Sequence, residues 1–405
     1  MSGAERLPLA GVKVADFCWA IAGPTTTKYL AIYGAQVIKI ETHSRPDSTR
    51  LSPPFAGKPS RNSSVHFGIL APSKLSVSLN LKDSRAQEIA KRLVAWADVV
   101  TENFSAGQMG EWGLDYENVR RLNPKAIMLS SSQQGQTGPH AGHPGLGGML
   151  QALTGFNHFT GWPDREPLGP ALPLPDMIAP WFSIIAIVAA LEQRSRTGQG
   201  QYIDLSQLEA GLQFLAPGIL DYTVNGREGE RRGNHSGHAA PHNAYRCQGD
   251  DRWCAISVRS DAEWQALCDA IGRSELARDA RFDTLLKRMQ HSAALDAVIT
   301  EWTQSRDARQ VMETLQAAGV PAGVVATGRD LHEDPQLGHR KHFITTDHSR
   351  MGPYPVDAAA FRISGIEPGV RPAPLLGEHN EFVARDLLKM SEGEYQELMN
   401  AGVFS

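Results

Sequence analysis

The sequence predicts an α/β fold, a Rossmann-like, doubly wound large domain accompanied by a smaller α+β one. Three observations predict it. Residues 12–17 and 36–41 are short apolar runs separated by a helical stretch, the β-turn-α-β unit of a parallel sheet. The same alternation of strand-like and helix-like segments repeats to about residue 130. With 405 residues, 41% hydrophobic and 21% charged, the chain is long enough for more than one core, so two domains are expected.

The first run leads through a turn into Ala22-Gly23-Pro24, where proline suits the first helical position, and the helix continues to Tyr33 before Gly34 ends it. Residues 36–41 make the second strand. A strand at 75–81, a helix at 84–97, a strand at 98–102, a helix at 116–122 and a strand at 126–130 follow. A long amphipathic helix spans about 177–196, with Pro180 tolerated in its first turn, and Thr197-Gly198-Gln199-Gly200 stops it. A strand at 201–205 and a helix at 206–216 complete the first part of the large domain, residues 1–224. Residues 225–243 are rich in Gly, Arg, His and Asn and read as a long exposed loop, a lid or linker. A strand at 253–258 and helices at 262–271, 293–304 and 308–318, closed by residues 319–324, give a second, α+β domain over 225–330. The tail from about residue 334 mixes turns and strands and ends in a helix rich in Glu and Leu.

A formal net charge of −4 without basic clusters argues against nucleic acid as a partner and leaves room for small anionic ligands. Met1-Ser2-Gly3-Ala4-Glu5-Arg6 opens onto a strand with no signal-like apolar core, and no apolar run reaches the ~20 residues that cross a membrane, so a cytoplasmic location without a membrane partner is expected. Cys18, Cys247, Cys254 and Cys268 have no CxxC spacing, which fits reduced thiols and gives no zinc signature.

Asp176 stands out, set between Pro173, Pro175 and the long apolar helix. A carboxylate there can be a helix cap or a nucleophile. The prolines restrict approach, and the N–H groups of a helix start stabilise negative charge on the side chain and on an attached intermediate. Glu41, closing the second strand, invites a dinucleotide reading, but the first turn, Ala20-Ile21-Ala22-Gly23-Pro24, lacks GxGxxG. His235, His238 and His242 have no carboxylate or thiol pattern beside them and read as loop histidines rather than metal ligands. His140 and His143 flank a Gly-Pro turn and read as solvated, and Ser130, Ser131 and Ser132 lack a GxSxG elbow.

A set of short motifs runs through nearly the whole chain: Leu9-Ala10-Gly11-Val12-Lys13-Val14-Ala15-Asp16-Phe17, Ala22-Gly23-Pro24, residues 34–41, Glu102-Asn103-Phe104, Gly135-Gln136-Thr137-Gly138-Pro139, Ala189-Ala190-Leu191-Glu192, Arg232-Gly233-Asn234, Ala318-Gly319-Val320-Pro321 and Leu376-Gly377-Glu378-His379. In this order and spacing the chain resembles the class III CoA-transferases, the family of formyl-CoA transferase, carnitine CoA-transferase and benzylsuccinate CoA-transferase, with α-methylacyl-CoA racemase as a divergent branch. The resemblance implies a large domain built from both chain ends, residues 331–405 returning to complete it, with the small domain inserted. It also implies two chains threaded through one another as an interlocked homodimer; a hetero-oligomer of related subunits is the other arrangement in the family.

The family's nucleophilic aspartate falls on Asp176. Its CoA contacts fall on Ile21 and Ala22 in the first turn, on Thr42, on the segment from Leu79 to Lys82, and on Asn103, Phe104 and Ser105. Turn amides and Lys82 can meet phosphates, while Phe104 can pack on adenine or the pantetheine arm. The glycine-rich lid falls on Asn234, His235 and Gly237. No tightly bound cofactor and no metal are implied; coenzyme A and acyl-CoA enter as substrates. Three departures remove cations found in relatives, at Thr42, Glu111 and Gly145, and Arg45, Arg50 or Lys74 would have to substitute. The resemblance implies acyl-CoA:carboxylate CoA transfer through an aspartyl-CoA thioester, possible donors including succinyl-CoA. Two other readings remain. The chain is a non-catalytic or partner subunit of a hetero-oligomeric transferase, or it is a 2-methylacyl-CoA racemase, for which position 146 is leucine and His143 lies three residues away. Trp19, Phe156, Phe159, Trp162 and Trp181 are candidates to line an apolar substrate pocket.

Overall fold

The computed structural model describes residues 7–405, so the reading of residues 1–6 lies outside the described residues. Six parallel strands form one sheet: β1 (Lys13–Asp16), β2 (Gln36–Glu41), β3 (Leu75–Ser78), β4 (Val99–Glu102), β5 (Ile127–Ser132) and β6 (Tyr202–Ser206), in the order β3-β2-β1-β4-β5-β6. Because successive side chains point to opposite faces, Val14, Val37 and Val99 enter one core layer and Ala15, Ile38 and Val100 the other. Helix Ser84–Trp96 covers the second layer with Ala86, Ile89, Ala90, Leu93 and Val94, an apolar stripe at helical period, after Asp83 caps its start by accepting from Arg85 N. Helices Ala22–Ile32 and Leu174–Thr197 lie on the first layer through Leu30, Ala31, Ala179, Ile187 and Ala190.

Several boundaries differ from those read in sequence. The third strand ends at Ser78 rather than 81. The long helix begins at Leu174, not 177, because Pro175 fits a first turn that needs no N–H from it; Pro180 is therefore inside the helix rather than in its first turn. The predicted helix 206–216 is shorter, Gln207–Leu212, and a helix not read in sequence, Ala216–Asn225, follows it. A described helix, Leu174–Thr197, is long and apolar enough by length and composition to cross a membrane, although its uninterrupted apolar run, between Asp176 and Glu192, is shorter than the ~20 residues a span needs. One side of it, Ala179, Ser183, Ile187 and Ala190, is packed as a core helix.

The described residues divide into two compact units, 7–157, 169–228 and 338–405 in one, and 158–168 with 229–337 in the other. The first also holds the hairpin β10 (Phe343–His348) and β11 (Gly352–Asp357), whose Tyr354 hydroxyl donates to Gly68 O. The second unit is built on an antiparallel sheet, β7 (His242–Arg246), β8 (Trp253–Ser257) and β9 (Ala322–Val324), with helices Asp261–Ala270, Ser292–Thr303 and Ala308–Ala317 packed on it through Trp264, Leu267, Leu295, Ile299, Val311 and Leu315. β7 takes over the end of the stretch read as loop, since Ala239 and Ala240 are already buried there. All four cysteines are buried, free thiols.

Candidate active site

β1 continues to β2 on one flank while β4 pairs on the other, so a cleft opens at the carboxyl ends of the strands where the order reverses. A cavity of about 590 Å³ lies there. Its apolar wall is a row of rings set edge to face: Trp19 and Phe104 at 5.6 Å and 75°, Phe104 and Trp112 at 5.4 Å and 89°. Two exposed cations, Arg45 and Lys82, also line it, and the Arg45 guanidinium sits 5.8 Å from the centre of the Trp19 ring.

The residues expected at a CoA site divide into two groups. Thr42, Leu79, Lys82, Phe104 and Ser105 line the cavity together. Thr42 is already engaged, donating its hydroxyl to Ser405 O at 2.9 Å, a contact between distant parts of the sequence. Ile21 and Ala22 stand at the start of helix Ala22–Ile32 and do not line the cavity, with Ala22 buried. Asn103 does not face the cavity; its amide takes both backbone groups of Trp19, accepting from Trp19 N and donating to Trp19 O, each at 2.8 Å. Trp112 and Gln108 belong to the lining and were missed in sequence, although Trp112 directly follows the departure at Glu111, whose carboxylate accepts from Gln108 at 2.8 Å. At the departure Gly145 the place of a side chain is taken by the Gln133 amide, the far end of a flexible side chain: a Cβ there would fall 2.3 Å from Gln133 Oε1.

Of the three proposed substitute cations only Arg45 is at the cavity. Arg50 is fully buried and grips Glu41 with two bonds of 2.8 Å, which also removes Glu41 from any ribose-binding role. Lys74 is fully buried against Asp16 at 3.1 Å and Thr27 Oγ1 at 2.6 Å. Burial pushes the Asp16 carboxyl up, but Lys74 and Lys39 more than offset this and hold it below its ordinary value.

Asp176 occupies the first turn of helix Leu174–Thr197 and is half-buried. Gln151 Oε1 accepts from Leu174 N at 3.0 Å and so fixes the helix start. Pro180, four residues on, lacks the N–H that would otherwise bond the Asp176 carbonyl. Burial alone pushes the Asp176 carboxyl up to about 6, and no neighbouring cation counters it. The carboxylate abuts Gly147, the first residue of helix Gly147–Leu153: a Cβ on Gly147 would fall 2.2 Å from Asp176 Oδ2 and 2.6 Å from Pro173 Cβ. Only glycine fits, and the first amides of that helix have no carbonyl partner within it. The Gly147-Gly148 pair was the available sequence signal.

In the second unit, Asn234 and His235 line a groove of about 600 Å³ on the open face of the β7-β8-β9 sheet, and Gly237 lines a neighbouring cavity of about 210 Å³. Asn234 donates to Asn243 Oδ1 at 3.0 Å, and Asn243 donates to Asp296 Oδ2 at 2.9 Å. Tyr245 donates to Asp296 Oδ1 at 2.6 Å, so Asp296, invisible as a site residue in sequence, anchors the loop. Among the described residues no three His, Cys, Asp or Glu gather as metal ligands. The five aromatics do not act as a group: Trp19 walls the cavity, Trp181 packs on Tyr29 at 5.0 Å, Phe156 is in the core, and Phe159 and Trp162 belong to the second unit.

The family model for CoA-transferase family III matches residues 9–380. The chain belongs to that family. Among curated relatives, succinyl-CoA–D-citramalate CoA-transferase of Chloroflexus aurantiacus is 35% identical over 396 residues, 96% of each chain. Acetyl-CoA:oxalate CoA-transferase of Acetobacter aceti is 34% identical, covering 94% of this chain and 95% of that one. The β subunit of succinyl-CoA–L-malate CoA-transferase from Chloroflexus aurantiacus is 30% identical over 98% of both. In structure, a CAIB/BAIF family protein from Brucella suis superposes with a TM-score of 0.87 at 34% identity, covering 94% of this chain and 99% of the other. This family III CoA-transferase is therefore an enzyme of acyl-CoA:carboxylate CoA transfer, with CoA thioesters and carboxylic acids as its substrates.

Proposed function

We propose that the enzyme moves CoA from succinyl-CoA to a small dicarboxylic acid through covalent attachment to Asp176. The observation that carries this reading is a half-buried carboxylate raised to about 6 by burial alone, lying against a glycine at a helix start. At pH 7 most of it is ionised yet poorly solvated, which makes it a better nucleophile than a surface aspartate. Asp176 attacks the donor thioester carbonyl, giving a mixed anhydride and CoA thiolate. The thiolate attacks the aspartyl carbonyl, expelling the donor acid as its carboxylate and leaving an aspartyl-CoA thioester. The acceptor carboxylate attacks that thioester, and the released thiolate then takes the acceptor's acyl group and restores Asp176. Amides of Gly147 and Gly148 are the donors we assign to the oxyanions. The relatives' succinyl, citramalate, malate and oxalate substrates support a dicarboxylate pair.

The cavity at the strand ends is the CoA site in this reading, with Arg45 and Lys82 on phosphates and the ring row on adenine or pantetheine. Asn234, His235 and Gly237 are the lid residues of this reading. The second unit is the inserted small domain, and the assembly is an interlocked homodimer. Exposed apolar surface supports the dimer: helix Ala216–Asn225 buries none of its residues, with Val224 76% exposed, and Ile185 of the long helix is 66% exposed. Relatives named as α and β subunits favour one alternative, a chain active only with a related partner. The free, buried thiols suit a cytoplasmic enzyme.

Mass spectrometry after incubation with succinyl-CoA and hydroxylamine tests the reading, with the protein alone and mixed with a related subunit. A hydroxamate on Asp176 in the protein alone is expected. Label at another residue overturns the assignment, and label only on mixing shows the partner-dependent form.

A further inference from the structure

The turn that carries Trp19 is held by side chains alone. Cys18 N donates to Asp16 Oδ1 at 3.0 Å, Trp19 N to Asn103 Oδ1 at 2.8 Å, and Ala20 N to Asp47 Oδ1 at 3.1 Å. The carbonyls of Cys18 and Trp19 accept from Lys39 Nζ at 2.6 Å and Asn103 Nδ2 at 2.8 Å. At its centre Ala20 has φ +61°, a left-handed conformation that a residue with a Cβ adopts only under constraint. Asp47 is the buried hub of that constraint. Its Oδ1 also accepts from Thr49 N and Thr49 Oγ1 at 3.0 and 2.8 Å, and its Oδ2 faces the Lys39 ammonium at 2.8 Å. Were Ala20 to relax to negative φ, the chain direction at Trp19 would change, and with it the indole wall of the cavity and the Arg45 cation above that ring.

We propose that Asp47 is a positioning residue for acyl-CoA recognition: it pins Ala20 in the left-handed conformation, so that Trp19 is presented as a preformed wall of the cavity. The proposal rests on the reading of that cavity as the CoA site. It assigns Asp47 an effect on substrate affinity, separate from the covalent steps at Asp176. Glycine adopts positive φ as readily as negative, so it should make the pin dispensable.

The test compares four forms of the full-length enzyme by kcat, KM for acyl-CoA and thermal melting. The paired change Lys39→Met with Asp47→Ala removes the pin and leaves the interior neutral. It should raise KM about 5- to 30-fold, the factor corresponding to the roughly 1–2 kcal/mol that left-handed backbone costs, with kcat within about twofold. Adding Ala20→Gly should restore most of the affinity. Should the paired variant fail to fold, Ala20→Val in the otherwise native chain tests the same point, and its KM should rise with kcat kept. An unchanged KM in a folded pinless variant or in Ala20→Val overturns the proposal, as does absence of rescue by glycine. Lys82→Ala and Trp112→Ala touch the cavity but not the turn. If they raise KM while the turn variants do not, only the role of Asp47 fails; if they leave KM unchanged, the cavity reading fails and this proposal with it.

Discussion

Replacing Asp176 by asparagine should abolish transfer and stabilise the protein, and the stabilisation should depend on pH. Burial holds the carboxyl at about 6 against an ordinary 3.8. The folded chain therefore binds that proton more tightly than the unfolded chain does, so from about pH 3.8 to 6 stability falls as pH rises, and it stays lowered above 6. A shift of that size corresponds to about 3 kcal/mol. The replacing amide must itself be desolvated and the site is only half-buried, so the expected net gain of Asp176→Asn at pH 7.5 is about 1–2 kcal/mol. Urea unfolding of both proteins from pH 4 to 8 measures it. The difference should grow through pH 5 and reach a plateau above 6, while kcat/KM of the native enzyme falls below pH 6 as the nucleophile is protonated. A gain that is constant with pH, or a loss of stability at pH 7.5, would refute the account of Asp176 as a carboxylate kept charged against its surroundings.

Two further outcomes are expected. Gly147→Ala places a methyl group where Asp176 Oδ2 lies, so kcat should drop about 100-fold through displacement of the nucleophile, with an overpacking cost of about 1–3 kcal/mol; single-turnover kinetics beside a melting curve separate the two. Arg50→Met strands Glu41 in the interior and should cost about 3–5 kcal/mol in urea, whereas the double change Arg50→Met with Glu41→Leu should cost less than the single one.

Much of the sheet was legible because its signals are local. β1 and β2 are apolar runs, Pro24 and Gly34 punctuate the helix between them, and parallel strands need such a crossover. Helix Ala216–Asn225 was not read at all, since none of its residues is buried and its apolar positions carry no core-facing signal. At the site, residue types were readable and their partners were not. Asp176 could be singled out, but that Gly147 closes against it depends on a contact across a loop. Arg50 and Lys74 looked like available cations because nothing in a sequence marks Glu41 and Asp16 as already paired with them.

Beneath the cavity, Asp16 with Lys74, Lys39 with Asp47 and Glu41 with Arg50 place three acids and three bases out of reach of water. A domain whose whole margin is roughly 5–15 kcal/mol has little tolerance for one unmatched charge at such depth. Mutational drift through this floor must therefore travel in couples, one sign change compensated by another, while Arg45 and Lys82 on the rim stay open to change singly. Selection has separate handles on the two layers: the rim for changing surface charge, the floor for keeping the chain folded.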